Sequence, residues 1–251
     1  MKRISVLVCF LCAVVLSSAP SVRAAEKAGD GETNFNVGLG HLRERRPAAA
    51  LEEFKKAVKL NGSNPYFQKG LGLAYTQLGK YPEAVAAFRK ALELNPYYVD
   101  VRNDLGTALI LSGKRSEGRD EFLKAFNDPT NPTPELSARN LGQAYLEENN
   151  FTEAVNWFQT TLNRNKAVAD AYLGLADAWF GLGKPQEAIP TLEVGNKEFP
   201  NHLGILVNLA EAYYRAGRFN EARGRFEEVT RKDPAGEAGR QAAERLKNFP
   251  R

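Results

Sequence analysis

Cysteine is almost missing from this chain. Two occur in 251 residues, Cys9 and Cys12, both near the start. No disulfide framework or thiol chemistry is therefore available over the rest of the sequence. Histidine is as scarce: His41 and His202 stand far apart and in no metal-ligand spacing. Catalysis needs a nucleophile, an acid–base pair or a held metal. With none of these written here, no enzyme activity, cofactor, metal site or small-molecule substrate is expected. No phosphate loop appears either. Gly38-Leu39-Gly40 and Gly70-Leu71-Gly72 follow no strand pattern and read as packing glycines of helices. Charge of one sign is also lacking. The formal +4 includes Lys2, Arg3 and Arg23, and from Ala25 onward 31 bases face 30 acids. That balance excludes reading the basic isoelectric point as nucleic-acid binding.

Long apolar runs are absent except at the start. Met1-Lys2-Arg3 is followed by the apolar stretch Ile4 to Leu16 and then by the small-residue site Val22-Arg23-Ala24. This is the layout of a secretory signal peptide over residues 1–24, with a short linker at 25–30. The apolar stretch is short for a membrane span, although an uncleaved anchor is the alternative. Val8 and Leu11 precede the two cysteines where a lipid-modified cysteine needs a small residue, so no lipid is expected. The chain is expected to be exported, to the periplasm or beyond.

What the sequence does contain is a period. Gly38, Gly72, Gly106, Gly142, Ala176 and Ala210 are separated by 34, 34, 36, 34 and 34 residues. A second small position recurs at Ala50, Ala84, Gly118, Ala154, Ala188 and Ala222, with a large apolar residue four positions later at Phe54, Phe88, Phe122, Phe158, Leu192 and Phe226. Helices approach closely only where side chains are short, and a bulky neighbour must fill the space beside them. Gly79, Gly113, Asn149, Gly183 and Gly217 mark a turn between two helices, with Arg45 in their place in the first copy. Pro82, Ser116, Thr152, Pro185 or Asn220 is expected to start the second helix. Glu83, Glu117, Glu153, Glu187 and Glu221 then complement its positive end. Pro190, inside the fifth second helix, is expected to kink it. Asp128 to Pro134 carries three prolines and the two extra residues of the 36-residue spacing.

These positions resemble the tetratricopeptide repeat, a helix-turn-helix unit of 34 residues. The resemblance runs from Gly31 to Gly236 as six units, 31–64, 65–98, 99–134, 135–168, 169–202 and 203–236. It implies an all-α, right-handed solenoid. Residues 237–251 supply a capping helix, with Ala238, Ala242, Leu246 and Phe249 on one face. Trp157 and Trp179 fall at core positions. His41 replaces a core aromatic, and His202 reads as a solvated residue between units. Arg43-Glu44-Arg45-Arg46 reads either as cations favoured at a helix C-terminus or as a patch for an acidic partner.

The resemblance further implies a protein- or peptide-binding groove lined by the first helix of each unit at positions two, five, nine and twelve. At one end these are Phe35, Leu39, Leu42, Tyr66, Lys69 and Leu73; in the centre, Asn103, Thr107, Ile110, Arg139 and Gln143; at the other end, Leu173, Asp177, Phe180, Val207, Glu211 and Tyr214. The ends are apolar and the centre is polar. Either the apolar members anchor a partner or they pad adjacent units. The family's chaperone-tail receptors grip a carboxylate with Lys and Asn at positions five and nine of one unit. Lys69 meets Leu73 instead, so that clamp is not expected. The stretch Ala125 to Glu135, running on to Asn140-Leu141-Gly142, is similar to a junction in type IV pilus biogenesis and stability proteins. Those are pilotins that assist assembly of an outer-membrane secretin. A non-catalytic scaffold in envelope assembly is implied, with an adaptor for an envelope protease or cell-wall hydrolase as the alternative.

Overall fold

The computed structural model describes residues 22–249. The expected signal peptide lies almost entirely outside the described residues. None of the described helices is long and apolar enough to cross a membrane. Residues 25–30 are not a separate linker, because the first helix, α1, already spans Val22–Arg43.

Six pairs follow one another. α1 turns into α2 (Pro47–Leu60), α3 (Pro65–Gln77) into α4 (Tyr81–Leu94), and α5 (Val99–Leu111) into α6 (Arg115–Asn127). α7 (Pro134–Glu147) turns into α8 (Phe151–Arg164), α9 (Ala169–Gly181) into α10 (Pro185–Glu198), and α11 (Leu203–Arg215) into α12 (Phe219–Lys232). A last helix, α13 (Glu237–Lys247), follows α12. The element order holds no strand among the described residues.

The turn within each pair repeats atom for atom. In the second, the Lys80 N–H donates to the Tyr75 carbonyl at 2.9 Å and the Gly79 N–H to the Thr76 carbonyl at 3.1 Å. This is the Schellman arrangement, which needs a left-handed residue just past the helix. Gly79 has φ +70°, and the same position is left-handed in all six pairs, including the non-glycines Arg45 at φ 55° and Asn149 at φ 59°.

The geometry corrects the expected helix starts. The residue that closes the Schellman turn is also the N-cap of the next helix: Arg46, Lys80, Lys114, Asn150, Lys184 and Arg218. Pro82, Ser116, Thr152 and Asn220 therefore sit inside the first turn, and Pro185 opens α10. Only Asn150 among these caps uses its side chain, which accepts from the Glu153 N–H at 3.4 Å. Five cations stand at a helix end that disfavours them, and a glutamate in the first turn offsets this in four of those five helices, α2 being the exception. α10 runs as one helix with Pro190 inside it.

Packing follows the small-and-large pattern. A methyl group added at Gly72 would stand 2.4 Å from Phe88 Cε1, and one at Gly106 2.6 Å from Phe122 Cε1. Gly38 and Gly142 press on Phe54 and Phe158 in the same way. Phe54 and Phe158 also reach forward to Gly70 and Gly174 of the next unit, so one ring locks two units together. Gly40, read as a packing glycine, faces open space. The backbones of successive first helices (α1, α3, α5, α7, α9, α11) approach each other closely, whereas those of successive second helices stay apart, α4 and α6 meeting through the Arg89–Glu117 ion pair at 2.8 Å. The first helices therefore lie on the inner side of the curve. Ala242 of α13 and Phe249 just beyond it lie on the end of the array, in one core with Phe226 and Val229.

Candidate partner-binding groove

The inner face carries the positions that repeat arithmetic marks, but they do not all point into open space. Phe35, Leu39 and Leu42 are half-buried against Leu51 and Phe54. Leu73 packs on the core of the second and third units, and Leu173, Phe180, Val207 and Tyr214 on that of the last two. These apolar ends thus pad neighbouring units. Tyr66 is the exception at 53% exposed, its ring edge-on to Tyr98 with centroids 5.3 Å apart.

Beside it sits a charged cluster that the repeat positions only half predict. Lys69 Nζ lies 3.8 Å from Asp104, 3.9 Å from Asp100 and 5.0 Å from the Tyr98 ring. Burial pushes the Asp104 carboxyl up to about 6; Lys69 pulls it down and Asp100 adds to the rise. Burial likewise drives the Tyr98 hydroxyl up to about 12. Asp104 and Tyr98 escape the sequence reading because one follows a groove position by a single residue and the other ends the preceding unit.

The open space lies at the polar centre. Between α5 and α7 is a hollow of about 280 Å³, walled by Thr107, Ile110 and Leu111 on one side and Arg139, Gln143 and Glu147 on the other, with Phe122 and Ala144 at its base. A second hollow of about 260 Å³ lies between α7 and α9, lined by the same Arg139 and Gln143 together with Asp170, Leu173, Gly174 and Asp177. Six of the sequence-marked residues, Thr107, Ile110, Arg139, Gln143, Leu173 and Asp177, are thus brought into two adjoining hollows. Leu111 and Glu147 were missed because they occupy position thirteen of their units, one step past the expected face, whereas Asp170 stands at position two of its unit, a groove position left unnamed above.

Arg139 reaches Asp170 at 3.5 Å, and Gln143 Nε2 donates to Glu147 Oε1 at 3.1 Å. The Thr107 hydroxyl donates to the Asn103 carbonyl at 3.2 Å, while Asn103 Oδ1 is buried without a hydrogen-bond partner. No group of three or more His, Cys, Asp or Glu among the described residues is arranged to hold a metal. His41 is half-buried on α1, 3.8 Å from Glu44. His202 is not simply solvated: its Nδ1 accepts the Ile205 N–H at 3.3 Å and caps α11. Within the basic run, Arg43 ends α1, Arg45 takes the left-handed turn and Arg46 pairs with Glu44. Trp157 packs edge-on against Phe126 at 5.2 Å, and Trp179 against the neighbouring cores.

With this geometry in view, comparison with known proteins is direct. A family profile described as tetratricopeptide repeat matches residues 37–99 and 139–201, and a second of the same description matches 75–138 and 180–246. No curated protein matches the chain. Among solved structures, PilW, described as a widely conserved type IV pilus biogenesis factor, superposes with a TM-score of 0.73 at 19% identity, covering 85% of this chain and 98% of its own. Pseudomonas aeruginosa pilF gives 0.68 at 18% identity, covering 87% and 99%. YrrB, a TPR protein with an unusual peptide-binding site, gives 0.57 at 17% identity, covering 76% and 97%. At such identities the likeness is one of fold. The repeat period, the six Schellman turns and the profile matches agree that the chain belongs to the tetratricopeptide repeat family.

Proposed function

We propose that this protein is a non-catalytic scaffold that holds a protein partner along its inner groove, in the service of envelope assembly. The observation that carries the reading is the pair of adjoining hollows across α5, α7 and α9, which share Arg139 and Gln143. Their walls offer apolar surface beside donors and acceptors, the composition that orients a peptide rather than one that transforms a substrate. Near-complete superposition on PilW and pilF supports a pilus-related setting, as does the export-like start of the chain. An outer-membrane secretin or another envelope protein is the partner this reading favours.

The test is affinity capture from an envelope extract with the chain starting at Ala25, followed by mass spectrometry. A secretin or pilus-assembly protein should be retained by the wild type and lost with Arg139→Glu combined with Gln143→Ala. Circular dichroism should show unchanged helicity in that variant. Retention that survives the double substitution places the contact elsewhere; retention of proteases or cell-wall hydrolases alone replaces the pilus setting with the adaptor one.

A further inference from the structure

One hollow lies away from the groove. It measures about 430 Å³ and lies on the opposite, outer side, between α8 and α10, with α9 as its floor. The backbones of α8 and α10 do not approach each other closely, and the hollow is an open slot between two second helices. Its apolar wall is Leu162, Leu175 and Val194.

Three features separate this slot from the general spacing of the repeat. The first is Val194, 42% exposed on the outer face of α10. The equivalent residue is Lys56, Lys90, Lys124, Thr160 or Glu228 in the other five units, so a solvated polar position has become an apolar one here alone. The second is Tyr172, only 2% exposed, which lines the slot. Its ring packs over Gly195, where a methyl group would stand 2.9 Å from Tyr172 Cγ; the other units carry Ala, Thr or Val at that position. The Tyr172 hydroxyl has no hydrogen-bond partner. A buried hydroxyl left in that state is costly, and native proteins pair nearly all such groups. The third is Lys166, the only charged side chain lining the slot, which makes no ion pair or hydrogen bond among the described residues.

We infer that this outer slot is a second binding surface, and that its occupant is a segment of a partner protein carrying an aliphatic side chain beside a carboxylate. The aliphatic group fills the space between Leu162, Leu175 and Val194. The carboxylate meets Lys166, and an oxygen of the same segment accepts from the Tyr172 hydroxyl. A slot bounded by two helices and open along its length suits an extended or helical chain segment. The surface is on the face away from the groove and stands independently of the groove reading.

The experiment is selection of a random display library of peptides, about twelve residues long, on the chain from Ala25, followed by titration of the recovered peptides. Peptides with Leu, Ile or Val adjoining Asp or Glu should be enriched. Their affinity should fall about tenfold or more with Val194→Lys, which restores the residue found in three other units, and with Lys166→Glu. Arg139→Glu should leave them unaffected, which separates this surface from the groove. Tyr172→Phe is the internal control for structure. Removing an unpaired hydroxyl should leave the thermal midpoint unchanged or raised while weakening the peptides, an effect that a purely packing role would not produce. No enrichment, enrichment of basic or uncharged peptides, or binding indifferent to Val194 and Lys166 overturns the inference.

Discussion

The last third of the array and its middle are built on the same repeat yet hold together differently. From α9 to α13 one core runs without interruption from Tyr172 through Leu209 and Phe226 to Phe249. At the junction of α6 and α7 the buried apolar set shrinks to Phe122, Leu141 and Ala144. In the last third, aromatic rings are covered by cations: Arg215 over Phe180 at 4.5 Å, Arg218 over Tyr213 at 4.6 Å and Arg245 over Tyr214 at 4.5 Å. The junction has such covers as well, Arg119 over Tyr145 at 5.0 Å and Arg164 over Phe126 at 4.9 Å, and adds polar devices. Asp128 Oδ1 accepts from the Thr130 N–H at 2.9 Å and Asn131 Nδ2 donates to the Ala125 carbonyl at 2.7 Å, while Arg102 of α5 pairs with Glu121 of α6 at 3.0 Å just ahead of the junction. The central hollow opens at this same junction. A surface that keeps room for a partner cannot also fill that room with its own side chains, so the binding centre proposed above falls where the core is thinnest.

The largest expected effect tests that contrast directly. Phe226→Ala should cost about 3–5 kcal/mol and lower the stability of α9 to α13 as one unit, because its cavity opens in a continuous core. Phe122→Ala should cost a similar amount locally but with a different signature. In a linear array, weakening one interface uncouples its neighbours. Urea unfolding followed by hydrogen exchange should then resolve two transitions, one on each side of the junction. A single transition for Phe122→Ala would mean that the middle is as firmly coupled as the end.

A smaller effect concerns the helix crossings. The middle uses Gly106 against Phe122, whereas the last third uses Ala176 against Leu192 and Ala210 against Phe226. Gly106→Leu should destabilise by about 1–3 kcal/mol through overpacking. Gly72→Leu should do the same, whereas Gly40→Leu, with nothing within 4 Å, should be close to neutral. Equal unfolding midpoints for Gly72→Leu and Gly40→Leu would contradict the crossing geometry.

These contrasts also show how far the sequence can be read. The fold was legible because close helix contact restricts residue type twice per unit, once to a small residue and once to a large one, and both restrictions recur at a fixed period. The turn was legible for a similar reason: a left-handed residue favours Gly or Asn, and even Arg45 betrays its place by register. The helix starts were not legible, since Lys80 and its equivalents serve one helix end and the next start at once and need no capping side chain. The groove was legible as a face but not as a volume. Phe35, Leu39 and Leu73 share positions with Thr107 and Arg139, and a large apolar side chain at the edge of that face leans into the core while a polar one stays out. Gly195 and Tyr172 trade bulk across a helix pair, and only the three-dimensional contact reveals the slot they accompany.

The smallest expected effect lies in the ionisation of Asp104, a second cost borne by the middle. The last unit has Asn208 at the equivalent position, where no charge needs to be desolvated. Asp104 is raised to about 6 by burial despite Lys69 at 3.8 Å. The folded state therefore binds a proton more tightly than the unfolded chain, whose carboxyl has the ordinary value of about 4. Between those two values the folded form holds more protons, so stability should rise as pH falls through about 6 and the gain should be complete below about 4. At pH 7.5 the charged carboxylate is a burden. Asp104→Asn should relieve it, stabilising the protein by about 1–2 kcal/mol after allowance for partial solvent exposure and for the Lys69 pair that is lost. At pH 5 the advantage of the variant over the wild type should shrink, because the wild-type carboxyl is by then mostly protonated. Unfolding midpoints of both proteins at the two pH values decide the matter. A variant less stable than the wild type at pH 7.5 would show that the Lys69 pair outweighs desolvation, and that this part of the middle is held by its charges rather than strained by them.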